Sequence, residues 1–117
     1  MYRVALIILG VCFYASADAR LYSFLKNSPI ESFTKEDISM MMDNVYKALD
    51  TKKDGEKLAW QNEKTGNSGL ANPLSTFKQD GLKCRNLRII NRSKKQIVES
   101  KYDLCKVEDG SWKVYTK

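Results

Sequence analysis

The chain has 117 residues, a formal net charge of +6 at neutral pH and three cysteines, and it contains no histidine. Its length is that of one small domain, and no internal repeat indicates a second one. The absence of histidine excludes Ser-His-Asp and Cys-His catalytic arrangements as well as histidine metal ligands. We therefore expect no enzymatic activity, no cofactor and no metal.

Residues 1–19 have the features of a signal peptide that is removed after Ala19. Arg3 precedes an uncharged stretch over residues 4–15, and Ala17 and Ala19 precede the expected cleavage point. A retained membrane anchor is the weaker alternative, because this stretch is shorter than the roughly 20 apolar residues of a transmembrane helix. Lipidation at Cys12 is a second alternative, but the apolar stretch continues past this cysteine, as ordinary signal-peptide sequence does.

A lead-in segment over residues 20–33 precedes a helix that we expect to begin at Thr34. Thr34 and Asp37 have the spacing of a capping pair, in which each residue bonds the backbone of the other. Apolar residues then recur every three or four positions over residues 38–49, which predicts an amphipathic helix. A turn signal follows residues 50–53, where the helix is expected to end.

Beyond the helix, turn dipeptides divide the chain into short extended runs. The predicted strands cover residues 56–62, 68–77, 82–90, 96–107 and 111–115. Strands joined by short turns pair antiparallel with their neighbours, so residues 34–117 are expected to form an α+β domain. In this fold the N-terminal amphipathic helix packs on one face of an antiparallel meander of about five strands. Pro73 should mark an edge, a bulge or a break in the second strand.

Cys84 and Cys105 remain after removal of the signal peptide, and such a pair in a small exported chain predicts a disulfide. A two-residue turn at Lys94-Lys95 would place the two cysteines opposite each other on the third and fourth strands. Because Cys-x-x-Cys spacing is absent, we expect the bridge to have a structural rather than a redox role.

Basic residues without any acidic residue among them are concentrated between residues 81 and 98, on the predicted hairpin. Their charge favours anionic partners, and export makes nucleic acid the least accessible of these. The turn around residue 66 offers further donors, although tight-turn geometry alone accounts for its composition. The candidate binding surface consists of Arg85, Arg88, Arg92, Lys94, Lys95, Thr65 and Asn67. A solvated hairpin that resists aggregation is the alternative.

Trp60 and Trp112 fall on predicted strands, where either ring could stack on a sugar. Trp60 alternates with Leu58, so burial in the core is the simpler expectation. A carbohydrate hydrolase that uses two carboxylates is the last-ranked hypothesis, because no two acidic residues fall into a recognisable site.

An ordered set of residues spans about residues 44–114: Trp60, Asn62, Thr65, Gly66, Asn67, Gly69, Pro73, Asp80-Gly81, Cys84-Arg85, Cys105 and Gly110-Ser111-Trp112. In these residues the chain resembles the surface-antigen domain of the 17 kDa rickettsial outer-membrane antigen family of Gram-negative bacteria. The lipoprotein cysteine and the glycine-rich hydrophobic hairpin that many family members carry before this domain are not evident here.

The resemblance implies a cell-envelope protein that is often associated with the outer membrane and has no established enzymatic activity. We therefore expect a non-enzymatic, exported binding or structural module, located in the periplasm or at the outer membrane or cell surface. Its expected partner is an envelope protein or an anionic envelope polymer. Membrane association is compatible with this expectation, without a transmembrane helix in the processed chain. The alternative function is an inhibitor or accessory subunit of an envelope enzyme or secretion complex.

Overall fold

A computed structural model describes residues 31–115, which form one helix and a five-stranded sheet. The elements are α1 (Lys35–Thr51), β1 (Leu58–Gln61), β2 (Ser68–Gln79), β3 (Leu82–Arg92), β4 (Ile97–Lys106) and β5 (Trp112–Val114). The strands follow one another across the sheet in chain order, and all neighbours are antiparallel. The predicted α+β class and meander are confirmed. The predicted signal peptide, Cys12 and residues 20–30 of the lead-in lie outside the described residues.

Helix α1 begins where the capping pair predicted it. The Asp37 N–H donates to Thr34 Oγ1 at 3.1 Å, and the Thr34 N–H donates to Asp37 Oδ2 at 2.8 Å, so two N–H groups without a helical partner are satisfied. The helix ends at Thr51, because the next residue, Lys52, is extended. Over residues 31–115 no helix has the length and apolar character needed to cross a membrane.

The hydrophobic core contains side chains from both the helix and the sheet. Met41, Val45, Ala48 and Leu49 are buried on α1 at helical spacing. They belong to the same cluster as Phe33, Trp60, Ala71, Leu87, Ile89, Leu104 and Trp112. Trp60 is 8 % exposed, which confirms its predicted burial, and Trp112, which is 2 % exposed, is a core residue as well.

Strand β2 contains the irregularity that Pro73 predicted. Its register against β3 shifts between Pro73 and Ser75, which is a bulge. The Pro73 carbonyl accepts a hydrogen bond from the Gly55 N–H at 2.7 Å, just ahead of β1. In an antiparallel strand, the N and the C=O of one residue point towards the same neighbouring strand. The Pro73 nitrogen, which carries no hydrogen, therefore points to the β1 side of β2, and no hydrogen bond between β2 and β3 is lost.

The β3–β4 hairpin has the predicted register and the predicted disulfide. Cys84 lies directly opposite Cys105, and the two sulfurs are bonded. At the other end of the hairpin, the Ser93 N–H donates to the Gln96 carbonyl at 2.8 Å across the two-residue turn. The observed register therefore follows from the turn that the sequence indicated.

Candidate functional site

A buried carboxylate, Asp37, lies at the end of the sheet where the β1–β2 loop meets the start of α1. Its Oδ1 accepts hydrogen bonds from Asn62 Nδ2 at 2.9 Å and from Thr65 Oγ1 at 2.8 Å. Its Oδ2 accepts from Asn67 Nδ2 at 2.8 Å and from the Thr34 N–H at 2.8 Å. Four donors therefore satisfy a carboxylate that has no exposed surface.

The environment of Asp37 determines its ionisation. Burial raises the pKa of this carboxyl, but the four donors outweigh burial and the pKa lies below its ordinary value, with the Asn67 amide making the largest lowering contribution. Asp37 is consequently ionised at neutral pH. Its charge is compensated by hydrogen bonds rather than by a cation, which makes the network a rigid connection between α1 and the loop.

Thr65 and Asn67 of the candidate binding surface are part of this network. Asn67 is 5 % exposed, and its amide is bonded to Asp37. The Thr65 hydroxyl donates its single proton to Asp37 and accepts from the Asn67 N–H at 3.2 Å. Both side chains therefore hold the loop in place.

Arg85, another residue of the candidate binding surface, is buried. Its side chain is 5 % exposed, and Nη1 donates to the Leu49 carbonyl at 2.7 Å, in the last turn of α1. Nη2 donates to Asp54 Oδ1 at 2.9 Å, and Nε donates to Thr76 Oγ1 at 3.1 Å. Arg85 thus caps the C-terminal end of the helix, where cations are favourable. The hydrogen bond from Arg85 also holds the pKa of Asp54 below its usual range.

The remaining arginines of β3 lie on the opposite face of the sheet. Side chains alternate between the two faces of a strand, and Arg85 and Asn91 both bond to α1, so odd-numbered residues of β3 face the helix. Arg88 and Arg92 are at even positions and face away from it. Arg88 pairs with Glu99 at 2.7 Å, whereas Arg92 is exposed.

Two of the predicted basic residues do meet the predicted loop. Lys94 and Lys95, in the β3–β4 turn, line a cavity of about 300 Å³ together with Thr65 and Asn67. Ser32 and Ser93 complete the lining. The predicted surface is therefore divided among three places. Arg85 is buried at one end of the sheet, Arg88 and Arg92 lie at positions that face away from α1, and the two lysines line a cavity at the other end.

A second cavity of about 420 Å³ lies along β1, β2 and the end of β3. Its lining consists of Ala59, Trp60, Gln61, Ser68, Gly69, Leu70 and Arg92. It is an open groove with one cation and no carboxylate among these residues.

Sequence reasoning missed the tertiary role of Asp37 and Asn62. Asp37 was expected to cap a helix, which it does, but its bonds to residues 25 to 30 positions away were not foreseen. Asn62 was recognised only as a marker of the family resemblance. One sequence feature could have indicated this role: a short loop between apolar strands contains several amide and hydroxyl side chains, and such groups need hydrogen-bond partners when they are buried.

No protein-family model, no curated protein and no solved structure matches this chain. Among residues 31–115, no group of three or more cysteine, aspartate or glutamate side chains is arranged to hold a metal ion.

Proposed function

We propose that the chain is an exported, non-enzymatic domain of the cell envelope that binds an anionic partner through exposed cations at the β3–β4 turn. This turn cluster consists of Arg92, Lys94 and Lys95. The observation that carries the proposal is that the three cations lie within four residues of one another and are all exposed. In the described part of the chain, none of them has an ion-pair partner.

The unpaired state of the turn cluster distinguishes it from the other arginines of the hairpin. Arg85 bonds to Asp54 and the helix end, and Arg88 bonds to Glu99. The charges of these two arginines are already compensated within the fold. Within residues 31–115 the turn cluster is uncompensated, so its potential is directed towards solvent and attracts an anionic surface.

The disulfide supports an oxidising, extracytoplasmic location, because such bridges persist outside the reducing cytosol. The resemblance to an envelope antigen family narrows the proposal to the periplasm or the outer membrane. We also infer that α1 covers one face of the sheet as an amphipathic helix and leaves the face that bears Arg88 and Arg92 open to solvent.

The non-enzymatic part of the proposal is supported by how the acidic residues beside the helix are used. Asp37 accepts four hydrogen bonds and Asp54 bonds Arg85, as described above. Asp50 accepts from Trp112 Nε1 at 2.8 Å and from Lys106 Nζ at 3.4 Å. Each of these carboxylates stabilises the fold, which counts against a carboxylate pair in a cleft beside Trp112.

An inhibitor or accessory subunit of an envelope enzyme or secretion complex is the second candidate function. It is favoured by Ile97, which follows the turn cluster and is 68 % exposed. An exposed aliphatic side chain beside cations suits a protein partner with an acidic, partly apolar surface. Co-purification of one stoichiometric partner that is released by Ile97→Ser would favour this function.

The test of the main proposal is a charge-reversed variant that combines Arg92→Glu, Lys94→Glu and Lys95→Glu. Arg85 is left unchanged because its reversal would bury an uncompensated anion and unfold the domain. A control with the same change in charge combines Lys57→Glu, Lys78→Glu and Lys101→Glu, three exposed positions outside the turn.

We expect the wild-type chain and the control to sediment with isolated envelopes at low salt, and the turn variant to stay in the supernatant. Association of the wild type should weaken as salt rises, because exposed charges are screened within about 10 Å at 0.1 M salt. Equal association of all three proteins would contradict the proposal.

A further inference from the structure

The geometry points to a binding site for a phosphate group in the cavity between the β3–β4 turn and the β1–β2 loop. This inference deepens the proposed function. The envelope location of the phosphate carrier rests on the proposed function, whereas phosphate binding itself rests on the residues that line the cavity. The cavity of about 300 Å³ is lined by Ser32, Thr65, Asn67, Ser93, Lys94 and Lys95. Every one of these side chains carries a hydrogen-bond donor, and none is acidic.

The lining divides into a fixed floor and free donors. The Thr65 hydroxyl and the Asn67 amide are bonded to Asp37, and the carboxylate itself does not line the cavity. By contrast, the side chains of Ser32, Ser93, Lys94 and Lys95 have no hydrogen-bond or ion-pair partner within residues 31–115. Two ammonium groups and two hydroxyls are therefore available to a ligand.

The free donors come from two separate segments of the chain above a floor from a third, which favours a particular class of anion. Ser32 precedes α1, the two lysines and Ser93 belong to the turn, and the floor belongs to the β1–β2 loop. Donors that converge from several directions suit a tetrahedral anion with three or more acceptor oxygens better than a planar carboxylate with two. Lysine acts as a point charge towards such a group and does not need fixed planar geometry.

Backbone hydrogen bonds in the turn and the loop, together with the Asp37 network, give the cavity a defined shape in the absence of ligand. The Ser93 N–H bonds the Gln96 carbonyl and closes the turn, and the Asn62 N–H bonds the Asn67 carbonyl at 2.9 Å and closes the loop. Thr34, adjacent to the segment that carries Ser32, is bonded to Asp37 as well. The walls are thus positioned before binding, which lowers the entropy cost of recognition. The charge of Asp37 opposes an anion, but two lysines outnumber it.

The ligand is a phosphate monoester or an equivalent phosphoryl group carried by a larger envelope molecule. The carrier could be a lipid headgroup or a soluble phosphorylated sugar, which share this chemistry. The test is a two-dimensional NMR titration of the complete exported chain with inorganic phosphate at constant ionic strength, with acetate as a second anion. We expect saturable shifts of the amides of residues 32 and 93–95 with phosphate only.

Three double variants locate the binding site. Lys94→Gln with Lys95→Gln should raise the dissociation constant for inorganic phosphate at least about tenfold, and Ser32→Ala with Ser93→Ala about threefold. Lys78→Gln with Lys101→Gln removes the same charge at exposed strand positions and should change it less than about twofold. Linear shifts that match those of acetate, or equal losses in the two lysine pairs, would overturn the inference.

Two further probes distinguish the carriers by competition with inorganic phosphate: phosphatidic acid vesicles and glucose 6-phosphate. Displacement by vesicles alone identifies a lipid source, displacement by the sugar phosphate identifies a soluble one, and failure of both overturns the inference. The outcome is separable from that of the proposed function. If charge reversal abolishes envelope association but phosphate binding is not saturable, the proposed function stands through diffuse attraction and the phosphate site is refuted. If phosphate binds saturably but charge reversal leaves envelope association unchanged, only the proposed function is refuted.

Discussion

Replacement of Asp37 by asparagine perturbs the network on which both the loop and the cavity floor depend. The carboxylate accepts two hydrogen bonds on each oxygen, and an amide would present an NH₂ group to one of these pairs of donors. A hydrogen bond to a charged group contributes about 1.5–3 kcal/mol, and the contributions do not add fully. We therefore expect Asp37→Asn to lower the free energy of unfolding by about 3–4 kcal/mol, out of a total of about 5–15 kcal/mol for a domain.

The assay is urea unfolding followed by tryptophan fluorescence, because Trp60 and Trp112 are both buried and become exposed on unfolding. Asp43→Asn is the matched control: this aspartate lies on the same helix, is exposed and has no hydrogen bond within the described residues. The control should change stability by less than about 0.5 kcal/mol.

The pH dependence gives an independent check on Asp37. Its folded pKa is lowered relative to an ordinary aspartate, so its contribution is fully present above the unfolded pKa and is lost as pH falls through the folded pKa. The free energies of unfolding of the wild type and of Asp37→Asn should therefore show their full difference at neutral pH and converge below about pH 4. A variant as stable as wild type, or a difference that persists unchanged to pH 2, would refute the reasoning.

Three other perturbations test parts of the fold. Gly69→Ala would place a methyl group 2.6 Å from the Ile90 carbonyl oxygen and 2.6 Å from Trp60 Nε1, so we expect a loss of about 1–3 kcal/mol, measurable by thermal unfolding. Reduction of the disulfide should lower stability by about 3 kcal/mol on the chain-entropy model, which urea midpoints with and without reductant will show. Arg85→Gln should lower the urea midpoint far more than Arg92→Gln, because only Arg85 bonds to the helix end; equal midpoints would contradict its capping role.

Local signals predicted most of the backbone. The capping pair at Thr34 and Asp37 placed the start of α1, and four turn signals, three of which contain glycine, separated five strands in the observed order. Pairing of Cys84 with Cys105 followed from the turn position, because the register of a tight hairpin is fixed by its turn. Strand ends were less accurate: β1 is shorter than predicted, and β2 and β3 extend two residues further.

The candidate surface was less predictable because it depends on which face each residue occupies and on distant partners. Arg85 and Arg88 are equally basic in sequence, yet one bonds to the end of α1 and the other to Glu99. Only the packing of α1 against β3 decides this. The meeting of Lys94 and Lys95 with Thr65 likewise depends on two loops reaching the same end of the sheet, which no local pattern specifies.

The most direct test of envelope binding through the turn cluster is site-specific photo-crosslinking of the exported chain in intact envelopes. A photoreactive side chain is introduced at Gln96, which is exposed beside the turn cluster, and as a control at Glu108, which is exposed in the β4–β5 loop. We predict an adduct from position 96 that disappears when Lys94→Glu and Lys95→Glu are added, and none from position 108. Adducts of equal yield at both positions, or an adduct at 96 that survives the charge reversal, would contradict binding through this cluster.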